Sequence, residues 1–225
     1  MPVGSMGFVL TLASGSPRRR EMLAWIGGLA EVLPVGVDES PETGEPAAAM
    51  ARRLGLAKAR AAAASRPGSL SLGADTVVVD GEHLLGKPAD PAQAARMLAQ
   101  LRGKDHQVIT GLALIDGETG AEVVEVCETL VPMRDYTDDE VAAYIASGEP
   151  MDKAGAYGIQ DNGFRPVAIE RLDGCYANVM GLPLCHLARS LRALHRPWPE
   201  DVPSVCQAHT GYLCRAHRWI LRGGI

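Results

Sequence analysis

Apolar and polar positions divide this chain into short strands and amphipathic helices, with no internal repeat. Phe8 to Ala13 is an apolar run rich in β-formers and predicts a buried strand. Ser14-Gly15-Ser16-Pro17 breaks it. Ser16 suits an N-cap and Pro17 the first helical position, so a helix follows, carrying Met22, Leu23, Trp25 and Ile26 inward and stopping at Gly27-Gly28. Pro46 to Ala64 is Ala-rich with interspersed Arg and Lys, a second helix. Leu70 to Val79 predicts a strand and Asp80-Gly81 its hairpin turn. Asp90-Pro91-Ala92-Gln93 opens a helix to about Leu101, and Thr137 to Glu140 opens another that ends near Gly148. Strands are predicted at Val108 to Ile115, Val123 to Val131 and Phe164 to Leu172, and a helix at Pro183 to Leu194. Hairpins stand beside longer crossovers without strict alternation. That favours an α/β fold with a mixed sheet flanked by helices over a regular doubly wound one. Pro197, Pro199 and Pro203 mark a linker, so a domain over residues 1–196 is expected to carry an extension over 197–225.

Composition narrows the function classes. Of 225 residues 47% are hydrophobic and 22% charged, enough for a substantial core. The formal net charge of −5 argues against nucleic acid as a partner, although a local basic cluster can still hold a small anion. No apolar run approaches the roughly 20 residues of a membrane span. Met1 to Ala13 lacks the pattern of a signal peptide, so a cytoplasmic location is expected. The five scattered cysteines are then read as reduced thiols.

Five segments carry candidate chemistry. Ser14-Gly15-Ser16-Pro17-Arg18-Arg19-Arg20 spans a strand end and a helix start, where free N–H groups and the helix dipole favour an anion. Three arginines there oppose that dipole, and a polyphosphate would offset them, since Arg pairs bidentately with phosphate. The alternative is a solvated basic turn, or salt bridges to Glu21 or Asp38. Asp75, in Gly73-Ala74-Asp75-Thr76-Val77, interrupts an apolar strand; a buried carboxylate there could be a base for water, a metal ligand, or simply a capped or paired strand-end residue. Gly86-Lys87-Pro88 and Asp152 to Gln160 each place a Lys among turn residues, and a lone loop Lys is ordinarily just solvated. The small residues around Lys153 suggest backbone close to a ligand, and the Gln160 amide could read a base edge. Gly174 to Pro183 leads a loop into a helix, serving packing or ligand contact. Walker, Rossmann and nucleophile-elbow patterns are absent from the sequence.

The order of these segments, S-x-S-P-R-R, a D-E pair, G-A-D-T, G-K-P, D-K-A-G-A-Y-G-I-Q and N-V-x-G-L-P, resembles the Maf family from about Leu10 to Leu194. The resemblance implies an inosine-triphosphatase-like fold: an elongated, twisted mixed sheet in two lobes with a central cleft. It implies a homodimer, a divalent cation (Mg²⁺ or Mn²⁺), and house-cleaning hydrolysis of nucleoside triphosphates at the α–β linkage, with dTTP and UTP preferred. By the same likeness Asp75 is the proton acceptor, and Arg18, Thr76 and Gln160 set specificity. Ser14, Ser16, Arg18, Arg19, Lys58, Lys87 and Lys153 would hold phosphate, and Glu39 and Asp75 the metal. The chain departs from the family by continuing Asp161-Asn162-Gly163 where Q-G is usual. Rival readings are the same chemistry on 7-methyl-GTP or non-standard purines, and a non-catalytic nucleotide-binding regulator of cell division. In the tail, Cys206, His209, Cys214 and His217 form a compact C-x2-H-x4-C-x2-H set. Its inter-pair gap is shorter than in common zinc fingers, so an amphipathic tail helix is expected ahead of a zinc site.

Overall fold

A computed structural model describes residues 10–28, 30–161, 163–196 and 201–223. Phe8, Val9, Asn162, Pro197 and Pro199, all invoked above, lie outside the described residues. The elements are β1 (Leu10–Leu12), α1 (Pro17–Trp25), β2 (Ala30–Val32), α2 (Ala47–Ser65), β3 (Leu70–Asp80), β4 (His83–Leu85), α3 (Pro91–Leu101), β5 (Asp105–Asp116), β6 (Glu122–Pro132), α4 (Asp138–Ala146), α5 (Tyr176–Val179), α6 (Leu184–Ala193), α7 (Val202–Thr210) and α8 (His217–Ile220). The predicted caps form. Ser16, Asp90 and Thr137 each accept a backbone N–H from the residue three positions on, and Glu140 completes a reciprocal capping box with Thr137.

The sheet is mixed, as expected. Its order is β2-β1-β3-β5-β6, with β4 also on β3. β1 runs parallel to β2 and β3; the β3–β5, β5–β6 and β3–β4 pairings are antiparallel. The long strand β3 organises the molecule. β5 covers one edge of it from Leu70 to Val79. The other edge is shared: β1 takes Leu70 to Leu72 and β4 takes Val78 to Asp80. Between them, residues 73–77 have no strand partner on that side, which opens a notch in the sheet at Asp75 and Thr76.

Strand alternation assigns the two faces of β3. Leu70, Leu72, Ala74 and Val78 enter the main core, whereas Val77 and Val79 pack with Met50, Ala51 and Leu54 of α2. Asp75 therefore shares the α2 face and Thr76 the opposite one. α2 lies unusually close to the sheet. A Cβ on Gly73 would fall 2.2 Å from the Gly55 carbonyl oxygen, and one on Gly111 2.0 Å from that of Ala51. Only glycine permits this approach, which lowers Lys58 of α2 onto Asp75.

One expected strand is absent. Phe164, Val167, Ala168 and Leu172 are buried, but their backbone makes only an isolated bridge, Met133 to Val167, and then a 3-10 turn at Ile169–Arg171. Pro166 has no N–H to donate to a ladder, and Arg134 N–H uses its carbonyl instead. The tail, in turn, is helical and docked. Val202, Cys206, Ala216 and Ile220 join the main core, and Tyr212 O–H donates to the Leu172 carbonyl at 2.5 Å. Between tail and domain lies a cavity with room for about one water, lined by Cys175, Cys185, Cys206, Cys214 and His217 among others.

Candidate active site

The notch in the sheet gathers side chains from both faces of β3. On the α2 face, Lys58 Nζ lies 2.6 Å from Asp75 Oδ1 and 2.6 Å from Glu39 Oε1. Lys58 and Asp75 are buried, while Glu39 is mostly exposed. An ammonium thus bridges two carboxylates that arrive from different segments. The hydrogen bond from Lys58 holds the Glu39 carboxyl below its usual range, against a partial desolvation, with help from the charges of Lys58, Lys87 and Arg19.

On the opposite face, Arg19 is fixed at three points. Its Nε donates to the Gly181 carbonyl at 2.8 Å, one terminal nitrogen to Ser14 Oγ at 3.0 Å, and the other to Thr76 Oγ1 at 3.1 Å. Thr76 continues to Thr110 at 2.8 Å, and Thr110 to the Asn178 carbonyl at 3.4 Å. The Asn178 amide is itself buried, donating to the Val108 carbonyl and to Thr129 Oγ1. Burial pulls the Arg19 guanidinium down from its usual value, Asp75 and Glu39 oppose that pull, and Arg18 adds to it. Ser16 caps α1, and Ser14 accepts the Ser16 N–H at 3.2 Å, so the turn that presents the arginines is closed on itself.

A second cluster adjoins the first through Arg18. Arg18 meets the Asp152 carboxylate at 2.7 Å. Asp152 lies 3.1 Å from Lys153 Nζ, which also contacts Glu149 at 3.0 Å and Asp161 at 3.4 Å. Lys153 is only 5% exposed, so it is not a solvated loop lysine. Burial would lower its pKa, but the bonds to Glu149 and Asp152 and the charges of Asp161 and Asp152 more than offset this, and the net shift is upward. Asp161 further accepts from Tyr144 O–H and, at 3.0 Å, from the Gln160 amide. The Gly155 N–H donates to the Gly86 carbonyl at 3.1 Å, which ties this loop to the turn holding exposed Lys87.

Arg19, Glu39, Lys58, Asp75 and Thr76 therefore meet at the notch, with Lys87 facing Glu39 electrostatically, while Arg18 and Lys153 belong to the adjoining cluster, whose nearest link to the notch is the charge of Arg18 on Arg19. Sequence reasoning left out Glu149, Asp152, Tyr144 and Thr110, which hold those residues in place. Only Asp152 gave a signal, as part of a quoted motif. The tail tetrad does not close on a metal: Cys206, Cys214 and His217 border one cavity, but His209 stacks on Trp25 at 4.7 Å and His217 Nδ1 engages the Cys214 carbonyl. Among the described residues no group of three or more His, Cys, Asp or Glu is placed to hold a metal ion.

A family model described as Maf-like protein matches residues 9–194. Curated relatives are similar over most of their length. A dTTP/UTP pyrophosphatase of Moorella thermoacetica is 50% identical over 182 residues, covering 81% of this chain and 93% of the relative. One from Geobacter sulfurreducens is 45% identical, covering 82% and 96%. A third, from Dehalococcoides mccartyi, is 41% identical over 207 residues, covering 89% and 92%.

Proposed function

Because the chain belongs to the Maf family, we propose that it is a nucleoside triphosphate pyrophosphatase that hydrolyses dTTP and UTP to the monophosphate and pyrophosphate. The observation that carries this reading is the pair of networks meeting across the notch. A carboxylate, Asp75, stands on one face of β3, and a guanidinium, Arg19, is pinned beside it on the other. Polyphosphate hydrolysis needs that pairing, positive charge along the phosphates and an acceptor for the proton of water.

The residues divide the work. Arg19, held by Ser14, Thr76 and Gly181, offers its charge without the entropy loss of ordering a free side chain. Arg18 and Lys87 extend the positive field, and Ser14 and Ser16 line the N-terminus of α1. Lys153 reaches phosphate once released from Glu149 and Asp152, and otherwise anchors Asp152 and through it Arg18. Asp75 takes the proton of the attacking water. Glu39 and Asp75 fit a divalent cation by the chemistry of their donors: two hard carboxylate oxygens already converge within 2.6 Å of one Lys58 ammonium. Two carboxylates plus substrate oxygens is the usual protein share for Mg²⁺ or Mn²⁺, which when bound supplies charge neutralisation at the phosphates. Thr76, Arg18 and Gln160 set nucleotide preference. A cytoplasmic homodimer belongs to the same reading, supported by the family likeness.

The test is pyrophosphate release from a panel of dTTP, UTP, CTP, GTP, 7-methyl-GTP and inosine triphosphate, with Mg²⁺ or Mn²⁺. Turnover is expected to be fastest on dTTP and UTP; no turnover of any of them with either metal would overturn the proposal.

A further inference from the structure

The Asp161 carboxylate is held from several sides. Tyr144 O–H donates to its Oδ2, and Lys153 Nζ lies 3.4 Å from the same oxygen. Gly158 makes room for it: a Cβ there would fall 2.5 Å from Oδ1 and 2.6 Å from Oδ2. The Gly158 N–H in turn donates to Tyr144 Oη at 3.2 Å, closing the arrangement. With Oδ2 engaged by the phenol and the ammonium, Oδ1 is left to the neighbouring Gln160, whose Nε2 donates to it at 3.0 Å.

That last bond settles the orientation of the amide. A carboxylate only accepts hydrogen bonds, so the Gln160 NH₂ must face Asp161. Turning the amide over would set Oε1 against Oδ1, two acceptors at hydrogen-bond distance with no proton between them. Asp161 takes one of the two N–H groups. Oε1 and the second N–H remain, in one fixed order, for whatever Gln160 meets.

A fixed order matters for reading pyrimidines. Uracil and thymine present an N3–H donor beside a carbonyl acceptor. Cytosine presents the reverse at the same positions, an N3 acceptor beside an amino donor. An amide free to flip can pair with either ring; a locked amide pairs with one and meets the other donor to donor and acceptor to acceptor. We propose that Asp161 is a positioning residue that locks the Gln160 amide in the orientation that pairs with uracil and thymine and rejects cytosine. This rests on the reading, made above, that Gln160 faces the base.

The experiment compares kcat/KM for UTP and CTP in the unaltered protein and in Asp161→Asn, Asp161→Gly and Gln160→Ala, with thermal unfolding of each variant as a control on folding. In Asp161→Asn the Tyr144 O–H and the Lys153 ammonium keep the amide oxygen at the Oδ2 position, so the new NH₂ faces Gln160 and the lock is undone. The UTP-to-CTP ratio is expected to fall about 5- to 20-fold in both Asp161 variants, the scale of one misdirected hydrogen bond. It should fall in Gln160→Ala as well. Adding an Asp161 change to Gln160→Ala should alter the ratio no further. A purely structural role for Asp161 would slow both nucleotides alike and leave the ratio unchanged, which would overturn the proposal. If the ratio collapses in Gln160→Ala but holds in both Asp161 variants, Gln160 reads the base and Asp161 does not position it. If it holds in Gln160→Ala, base reading by Gln160 fails, and the lock with it.

Discussion

The two networks beside the notch are built from different material. Lys58 and Asp75 stand on α2 and β3, regular elements pressed together through Gly55, Gly73 and Gly111. Lys153, Gln160 and Asp161 stand on 3-10 turns and irregular loop, held by side chains that grip one another. If Asp75 is the reacting carboxylate, as proposed, its place on packed backbone fixes its position to the precision of the sheet. If Gln160 reads the base, as proposed, its place on a self-braced loop lets one substitution retune it without disturbing the strand. On that reading, chemistry is set by main chain and recognition by side chains.

The largest expected effect comes from the rigid side. Asp75→Asn should lower kcat about 10²- to 10⁴-fold, the range of a general base, while substrate binding changes far less. Lys58 keeps Glu39 as a partner, so the variant should remain folded. Steady-state kinetics with nucleotide binding measured separately checks this, and near-normal turnover would remove Asp75 from the reaction.

Acid should act next, through β5 and α6. Burial pushes His106, which is bonded to Tyr157 at 2.8 Å, down to about 4, and pushes His186 on α6 down to about 4, both from 6.5. Between those values the unfolded chain binds protons that the folded chain refuses. The stabilisation is complete above about pH 6.5 and is lost as pH falls toward 4, on the order of 3 kcal/mol for each imidazole. Urea midpoints at pH 7, 5.5 and 4.5 should decline in that order; a flat series would mean that both rings protonate in the folded state.

Gly73→Ala tests the packing of α2 on β3. The new methyl would meet the Gly55 carbonyl, at a cost of about 1–3 kcal/mol for an overpacked site, and it should lift Lys58 away from Asp75. Loss of thermal stability with a parallel loss of activity is expected; a variant as stable as the parent would contradict the close approach. Gln160→Ala should have the smallest effect. It should leave stability nearly intact and shift the dTTP-to-GTP preference by about 1–3 kcal/mol, read as a ratio of kcat/KM values. An unchanged preference would move base reading elsewhere.

Much of the fold was legible because it rests on local rules. Ser16, Asp90 and Thr137 announce helix starts, and Gly81 and Gly148 take the positive φ that turns require. The failures are also physical. The apolar run from Phe164 to Leu172 is buried as its composition demands, but Pro166 denies it a ladder. β2 is three residues long, too short to show a period. In the site, Asp75 broke an apolar strand and so stood out. The surroundings of Lys153 did not, because its partners Glu149 and Asp161 flank it without a repeating spacing. Arg18 and Asp152 meet across 134 residues, and only folding brings them together.

The cavity under the tail has a practical consequence. Cys127, Cys175, Cys185 and Cys206 are buried, and three of them border the seam where α7 and α8 rest on the domain. A water-soluble alkylating reagent reaches such thiols only while that seam is parted. The speed at which Cys175, Cys185 and Cys206 are labelled therefore clocks how often the extension lifts, so the chain carries its own gauge of local opening.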